Sequence, residues 1–316
     1  MLMDTTTIAG FRDRIIGNCS KVIIGKENEI KNVLICFLCS GHILLEDVPG
    51  TGKTMLLRAF AKTIGGSFKR IQFTPDVLPS DLTGINFYNQ KTGDFEFRPG
   101  PLFANMILAD EINRATPRTQ SSLLEAMSER QITVDGHTHP MATPFMILAT
   151  QNPLESFGTF PLPDSQTDRF FMRLSLGYMT RNEELSVISG RDAPDIINEL
   201  QPQTTAEEVS QITKICHKVE VSADVAGYLM DIVERTRNDN RIRIGVSTRG
   251  AIAAYRAIQA AAALEGRDYA LPEDVRNLAP KMLAHRLTLS GISSTGEDTH
   301  ILEDIIGSIP VPLEET

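Results

Sequence analysis

The feature that most constrains the fold is a short glycine-rich segment between an apolar run and a helical pattern. His42 to Glu46 has the apolar composition of a short buried strand, and Lys53 to Ile64 has the spacing of a helix that Gly65 and Gly66 end. Between them lies Gly50-Thr51-Gly52-Lys53-Thr54, whose glycines allow backbone N–H groups to curl around phosphate oxygens. A strand, a glycine-rich loop and a helix in this order predict a P-loop in an α/β domain.

Each polar residue of this loop has a predicted role. Lys53 can reach the β- and γ-phosphates of a nucleotide, and the Thr54 hydroxyl is placed to bind Mg²⁺. Asp47 stands five residues before Gly52, where the strict P-loop pattern has its first glycine, so a glycine-rich turn before an ordinary helix is the alternative. The predicted nucleotide-binding residues of this segment are Val48, Pro49, Gly50, Thr51, Gly52, Lys53, Thr54 and Met55.

Polar side chains also end two later strands. The apolar run Met106–Asp110 is followed by Glu111, which predicts that Asp110 holds the Mg²⁺ water shell and that Glu111 activates water as general base. Two acids, rather than one, favour hydrolysis over binding alone, although two solvated acids at a strand end are the alternative. Asn152 follows the run 145–150, where its amide either orients the same water or caps a loop.

Strands that alternate with helices predict a mainly parallel, doubly wound sheet over residues 1–190. Two insertions are predicted to form β-hairpins, at 84–98 and at 130–142, and the second contains the Asp135-Gly136 turn signal. The five sheet strands are expected near residues 42–46, 69–73, 106–110, 145–150 and 170–176.

After about residue 180 the strand patterns stop. Helices are predicted near residues 206–219, 222–237, 247–264 and 272–287, so residues 205–316 form an all-helical lid domain that ends in a tail. The polar segment 190–205 is the expected linker, and the last twenty residues, with Pro310 and Pro312, are the expected tail.

Length and charge limit the number of domains and the kind of partner. The chain has 316 residues, enough for one large and one smaller domain. Its net charge of −9 counts against nucleic acid as the main partner. Cys36 and Cys39 lie inside an apolar helical run, which favours buried small side chains over a redox or metal motif. No apolar stretch is long enough to span a membrane, and the expectation is a cytoplasmic protein with reduced thiols.

Together these motifs resemble the AAA+ ATPases, and within them the MoxR family. The resemblance spans roughly residues 20–290, and Asp47 in place of the first glycine matches the family's own variant. It implies a preference for ATP over GTP and a homo-oligomeric ring, with a hexamer as the expected size. The stretches that carry it are residues 44–54, 110–115, 120–127, 149–153, 168–170 and 247–249.

The resemblance also implies roles that spacing alone does not give. Asn152 matches the first sensor, Arg169 the arginine finger that acts on a neighbour's ATP, and Arg249 the second sensor that contacts the γ-phosphate. Ile24 and Gly25 belong to the segment on the adenine side. A surface salt bridge for Arg169 and a solvated helix-terminal position for Arg249 are the alternatives.

Two interpretations remain open for each of three side chains near these motifs. Arg114 either faces a neighbour's nucleotide or makes a structural hydrogen bond beside the acids. His137 and His139 alternate along a hairpin strand, where a solvated tip is favoured over a metal site.

Three functions of different classes follow from these expectations. The first, which the resemblance to the MoxR family implies, is a chaperone-like ATPase that remodels, matures or activates a client, including proteins with a von Willebrand factor A domain, by steps such as metal-cofactor insertion. The second is a regulatory or scaffolding module with slow turnover, and the third is a nucleic-acid motor, against which the net charge of −9 counts.

Overall fold

A computed structural model describes residues 5–47, 50–151, 158–190, 193–291 and 296–312. Within these ranges the strands are β1 Ile43–Glu46, β2 Phe68–Gln72, β3 Gly84–Asn89, β4 Asp94–Pro99, β5 Met106–Asp110, β6 Gln131–Val134, β7 His137–Pro140, β8 Met146–Gln151, β9 Met172–Leu174, β10 Ile242–Ile244 and β11 Thr288–Leu289. The α-helices are α1 Thr5–Cys19, α2 Glu27–Leu38, α3 Lys53–Thr63, α4 Pro79–Thr83, α5 Pro117–Glu129, α6 Asp164–Thr167, α7 Arg181–Ile188, α8 Ala193–Glu199, α9 Ala206–Cys216, α10 Ala223–Asn238, α11 Thr248–Leu264, α12 Pro272–Leu283 and α13 Glu297–Ser308.

Five parallel strands form the central sheet, in the order β2-β5-β8-β1-β9. Successive residues of its inner strands enter two different cores, as expected when both faces of a sheet are covered. In β5, Met106 and Leu108 belong to the core that also contains residues of α2 and α3, whereas Ile107 and Ala109 belong to the core that contains residues of α5. The prediction of a doubly wound, five-stranded parallel sheet is confirmed.

The parallel register places all carboxyl ends of these strands at one edge of the sheet. β1 pairs with β8 from Ile43↔Leu148 to Glu46↔Gln151, and β5 ends at Asp110 beside the end of β2. The segments that follow β1, β5 and β8 therefore leave the sheet side by side.

Two antiparallel hairpins project from this domain and touch each other. β3 pairs with β4 and β6 pairs with β7, where the sequence predicted hairpins. Phe97 of the first hairpin stacks on His139 of the second, with ring centroids 4.0 Å apart. His139 is thus packed between the hairpins rather than at a solvated tip, whereas His137 is exposed.

The C-terminal part of the chain is helical, with one addition. Helices α9 to α12 lie where the sequence predicted them, and β10 pairs with β11 in a small antiparallel sheet that the predicted all-helical lid lacked. These strands have three and two residues, too short for a period-two pattern to be recognised.

Two segments were assigned wrongly from the sequence. Within the expected linker 190–205, α8 forms and packs on α3, with Ile197 and Leu200 buried. Within the expected tail, α13 forms and buries Ile301, Leu302, Ile305 and Ile306. The two prolines that suggested a tail follow this helix instead of interrupting it, and the apolar face was overlooked. No described helix has the length and apolarity needed to cross a membrane.

Candidate active site

The glycine-rich loop enters α3 in the geometry that a phosphate-binding loop needs. Gly50 and Gly52 have φ angles of 89° and 88°, a region open to glycine but strained for other residues. Gly52 is the N-cap of α3 and provides no side chain to cap the first-turn N–H groups. Among the described residues, a Cβ on either glycine would meet nothing within 4 Å, so the space beside both glycines is open. An uncapped helix N-terminus that faces open space fits a phosphate group.

Asp47, in the position of the usual first glycine, fastens the base of the loop. Its buried carboxylate accepts hydrogen bonds from the N–H groups of Leu176 (2.6 Å) and Gly177 (3.3 Å), just after β9. Its carbonyl accepts from Nζ of Lys53 at 3.3 Å. The carboxylate thus joins the P-loop to the chain that continues from the edge strand. Val48 and Pro49 lie outside the described residues.

The two predicted acids share one hydroxyl. Oγ1 of Thr150, at the end of β8, donates to Oδ1 of Asp110 at 2.6 Å and accepts from the N–H of Glu111 at 2.9 Å. Arg70 on β2 donates to the other carboxylate oxygen of Asp110 at 2.6 Å. Asp110 therefore lies at the end of β5 with one oxygen bonded to each neighbouring strand.

The carboxylate of Glu111 is held by two donors. Nε2 of Gln72, the last residue of β2, donates to its Oε2 at 2.7 Å, and Nε of Arg114 lies 3.2 Å from the same oxygen. Glu111 has a φ of 59°, an uncommon conformation for a non-glycine residue that turns the chain sharply after the strand. Arg114 thus contacts the acidic pair of its own chain.

The remaining residues predicted for the nucleotide lie around this edge. Thr54 and Met55 are half-buried in the first turn of α3, and Thr51 is buried in the loop. Gly25 has a φ of 70° and lies against the Glu183 side chain, and Nζ of Lys26 donates to the carbonyl of Tyr178 at 3.1 Å. Ile24 is half-buried beside them. Asn152 lies outside the described residues.

The donor set fits a magnesium nucleotide. Hydroxyl and carboxylate oxygens are the ligands that Mg²⁺ takes, and Thr54 and Asp110 bring one of each to the same sheet edge. The guanidinium of Arg70, half-exposed beside Asp110, neutralises this carboxylate in the structure. A bound cation would therefore compete with Arg70 for Asp110.

Arg169 and Arg249 lie at the opposite edge of the sheet, where the strands begin. Arg169 precedes β9 and donates to the Leu124 carbonyl (3.0 Å) and to Oγ of Ser128 (2.8 Å), both on α5. Arg249, in the first turn of α11, is exposed and lies 4.0 Å from Asp168. Four residues of β1, about 13 Å at strand spacing, separate this edge from the edge at which the P-loop follows β1.

A buried arginine holds this second edge together. Arg286 donates to the carbonyls of Asp168 (2.8 Å) and Phe170 (2.7 Å) and pairs with the Asp168 carboxylate, and its side chain is only 2% exposed. Asp168 also accepts from Oγ of Ser247, the N-cap of α11. Burial lowers the pKa of Arg286, and the adjacent Asp168 carboxylate opposes this effect. The lid is thereby fixed to the segment that carries Arg169.

The sequence interpretation missed Arg70, Gln72, Thr150, Asp168 and Arg286. The first three come from strands next to the P-loop or acid strand, and only the strand order shows that they are neighbours. Asp168 and Arg286 are 118 residues apart in the chain, and their contact depends on how the lid docks. Of these five residues, only Thr150 could have been found from the sequence, because it lies at the end of a strand that was predicted to end at the same sheet edge as the P-loop.

The chain matches known proteins over nearly its whole length. A family model described as the ATPase family associated with various cellular activities (AAA) matches residues 42–172, and an AAA lid domain model matches residues 234–305. The uncharacterized protein YeaC of Bacillus subtilis is 45% identical over 309 residues, covering 96% of this chain and 95% of that protein. Chaperone MoxR1 of Mycobacterium tuberculosis is 37% identical over 289 residues, covering 88% and 76%.

A solved structure agrees with these matches. The crystal structure of a candidate ATPase from Cytophaga hutchinsonii has a TM-score of 0.88 and 38% identity, covering 98% of this chain and 97% of the other. The P-loop geometry, the paired acids at the end of β5 and the helical lid agree with the sequence matches. This chain belongs to the MoxR family of AAA+ ATPases.

Proposed function

We propose that this protein hydrolyses ATP with Mg²⁺ at the P-loop edge and uses the turnover to remodel or activate partner proteins. The observation that carries the hydrolytic part is the acid pair Asp110-Glu111, held beside an open P-loop by Thr150. Bound Mg²⁺ would supply positive charge that offsets the phosphate oxygens. Lys53 and the α3 N-terminus would bind the phosphates, and Thr54 and Asp110 would hold the metal.

In this proposal Glu111 accepts a proton from the attacking water. Gln72 and Arg114 both bond to Oε2, so the carboxylate would accept the proton at Oε1 or after it turns away from these two donors. The amide of Asn152 would orient the same water. Ile24 and Gly25 would border the adenine.

The two sheet edges support a site that is shared between chains. Arg169 and Arg249 lie together at the edge opposite the P-loop, which supports assigning them to the site of another copy. In a closed ring, the P-loop edge of each chain would face the edge of its neighbour that carries the two arginines. We propose a homo-oligomeric ring, a hexamer in the first instance, in which both arginines act in trans.

The remodelling role is supported by one relative and by the hairpins. The relative MoxR1 is named a chaperone. The β3–β4 hairpin exposes Phe95 and Tyr88, which pack edge to face, and it contacts the second hairpin through Phe97 and His139. Coupled hairpins with exposed aromatic side chains suit contact with a protein client, and a von Willebrand factor A domain protein is the partner we propose to test first.

The test is Mg²⁺-dependent ATP hydrolysis over a range of protein concentrations for wild type, Glu111→Gln and the matched control Glu125→Gln, an exposed acid on α5. We expect turnover per chain to rise with concentration, and Glu111→Gln to bind ATP while losing roughly 10²–10³-fold in kcat. Glu125→Gln should match wild type. Unchanged turnover in Glu111→Gln would refute the proposed base, and turnover per chain that is independent of concentration would refute the shared site.

A regulatory or scaffolding module with slow turnover is the second candidate. Gln72 and Arg114 favour it, because both bond to the carboxylate of the proposed general base. Turnover that stays slow with every partner tested would select this function, whereas stimulation by a bound partner would select remodelling.

A further inference from the structure

The cavity at the second sheet edge carries more positive charge than the two predicted arginines account for. It has a volume of about 350 Å³ and lies between the lid helix α11, the end of α5 and the residues that precede β1 and β9. Its charged lining residues are Arg130, Arg169, Arg249, Arg256, Arg286 and Asp168.

The single carboxylate in this described lining is already engaged. Asp168 pairs with the buried Arg286 and accepts from Ser247, and Arg249 approaches it at 4.0 Å. Five arginines against one carboxylate leave the described lining of the cavity with four positive charges that no lining acid offsets. A concave surface of this kind concentrates anions.

Arg256 lies on the same face of α11 as Arg249. Seven residues separate them, two helical turns or about 10.5 Å, and the cavity lining between them includes Ile252 and Ala253. The backbone carbonyl of Arg256 lies 3.5 Å from Sγ of Cys39, so this turn of the lid is packed on the end of α2. Both guanidiniums thus enter the cavity from one rigid helix.

Arg130 enters from the opposite wall. It is the C-cap of α5 in a left-handed conformation with φ 52°, and one guanidinium nitrogen donates to the Ser40 carbonyl at 3.1 Å. The other donors of its guanidinium remain available on an exposed side chain. Its charge also disfavours protonation of the neighbouring His42.

We propose that Arg256 and Arg130, together with Arg169 and Arg249, bind the phosphate chain of a nucleotide held by the P-loop of a second copy of this chain. The inference rests on the proposed ring ATPase and extends its shared site from two arginines to four. Several guanidiniums around one cavity match the multiple oxygens of a phosphate chain, which a single arginine cannot cover.

The nucleotide of the same chain cannot fill this role. The cavity begins at Ser40 and Gly41, before β1, whereas the P-loop follows β1, and the sheet lies between them. The source of the phosphate is therefore either a neighbour's nucleotide or a free anion. We commit to the neighbour because the cavity includes Arg169 and Arg249.

The decisive experiment mixes two defective chains. An Arg256→Ala chain keeps its own P-loop and acids, and a Glu111→Gln chain keeps its arginines, so mixed rings contain some complete sites. We expect Arg256→Ala alone to lose roughly 10- to 100-fold in kcat. Titration with Glu111→Gln should restore part of this activity, and a chain that carries both substitutions should restore none.

Three parallel mixtures serve as controls. Arg130→Ala is tested in the same way as Arg256→Ala, with a smaller loss expected because Arg130 is partly engaged with Ser40. Arg276→Ala, an exposed arginine on α12 outside the cavity, should keep wild-type turnover. Arg169→Ala mixed with Glu111→Gln tests the shared site itself.

The outcomes separate the inference from the function on which it rests. Recovery with Arg169→Ala but not with Arg256→Ala overturns the inference and leaves the shared site intact. No recovery in either mixture overturns the shared site. Failure of Arg256→Ala chains to assemble with ATP, measured by mass photometry in the Glu111→Gln background, would make Arg256 an assembly contact and overturn its phosphate role.

A further experiment tests whether the cavity binds a free anion. Inorganic tripolyphosphate is titrated into Lys53→Ala, in which the P-loop is impaired, with and without Arg256→Ala. Binding that persists in Lys53→Ala monomers and disappears with Arg256→Ala would assign the cavity to a free anion and overturn the proposal that a neighbour supplies it. We expect no such binding by the monomer.

Discussion

At the scale of single residues, the most informative contacts surround Glu111. Its carboxylate receives Nε2 of Gln72 at 2.7 Å and Nε of Arg114 at 3.2 Å, while its backbone is fixed through Thr150. The backbone position is therefore set by the sheet, and the orientation of the carboxylate is set by two side chains. A change in Gln72 or Arg114 could therefore free the carboxylate of the proposed general base without moving its backbone.

Removal of the Gln72 contact tests this separation. In Gln72→Ala the carboxylate loses a hydrogen bond whose net contribution is about 1 kcal/mol, so we expect basal turnover to rise about five-fold. ATP affinity should stay unchanged, because the Gln72 side chain bonds to Glu111 and Arg70 and the substitution leaves the backbone pairing of Gln72 with Asp110 in place. Gln211→Ala, an exposed glutamine on α9, is the matched control. A fall in turnover would show instead that Gln72 orients the base for catalysis.

His42 makes stability depend on pH. Burial lowers its pKa from 6.5 to about 4, although its hydrogen bond to the Met127 carbonyl opposes this effect, and its other ring nitrogen accepts from the N–H of Ile147. The unfolded chain binds this proton near pH 6.5 and the folded chain only near pH 4. The stability present above pH 6.5 is therefore lost as the pH falls towards 4, by about 3 kcal/mol in total.

The free energy of unfolding, measured with urea from pH 7.5 to pH 4.5, checks this expectation. His42→Gln should give a flatter profile than wild type. The pKa of the buried His285 is also lowered, mainly by burial, but this residue titrates in both proteins and drops out of the difference. Parallel profiles for the two proteins would contradict the assignment to His42.

The sequence predicted the site residues that belong to a local motif. It did not predict the site residues that come from neighbouring strands without a motif of their own. Gly50, Gly52, Lys53 and the acid pair follow strands directly, so their positions could be predicted from the apolar runs before them. Gln72 offered no signal, because its role depends on β2 lying next to β5. The catalytic roles of Asn152, Arg169 and Arg249 remain predictions that the proposed experiments address.

At the scale of elements, α13 shows how an apolar face can be overlooked. Ile301, Leu302, Ile305 and Ile306 repeat at helical spacing and are buried, and Asp298 in the first turn pairs with Arg173 of β9 at 2.7 Å. The helix is thus part of the core and is tied to the edge strand of the sheet. The central strands were easier to predict, because apolar runs mark them clearly.

Truncation of a buried side chain in α13 measures this contribution. Leu302 is fully buried, so Leu302→Ala should lower the free energy of unfolding by about 3 kcal/mol through lost burial and the cavity left behind. His300→Ala, on the exposed side of the same helix, should change it by less than about 0.5 kcal/mol. Equal small effects in chemical denaturation would mean that α13 contributes little to the folded state.

At the scale of the whole molecule, the strand order and the docking of the lid decide where the charges lie. The sequence predicted the number of strands but not the order β2-β5-β8-β1-β9, because pairing between distant segments leaves no local pattern. Nor did it predict that Arg286 joins α12 to the segment before β9. These long-range contacts place the acids at one edge and five arginines at the other.

This separation of acids and arginines has a genetic consequence. If each chain supplies its acids to one site and its arginines to the next, an Arg169→Ala subunit silences a site whose own P-loop is intact. In a cell that makes both forms, such a variant would impair wild-type partners and behave as dominant. A subunit defective in folding would simply be left out of the ring, and the wild-type gene would mask it.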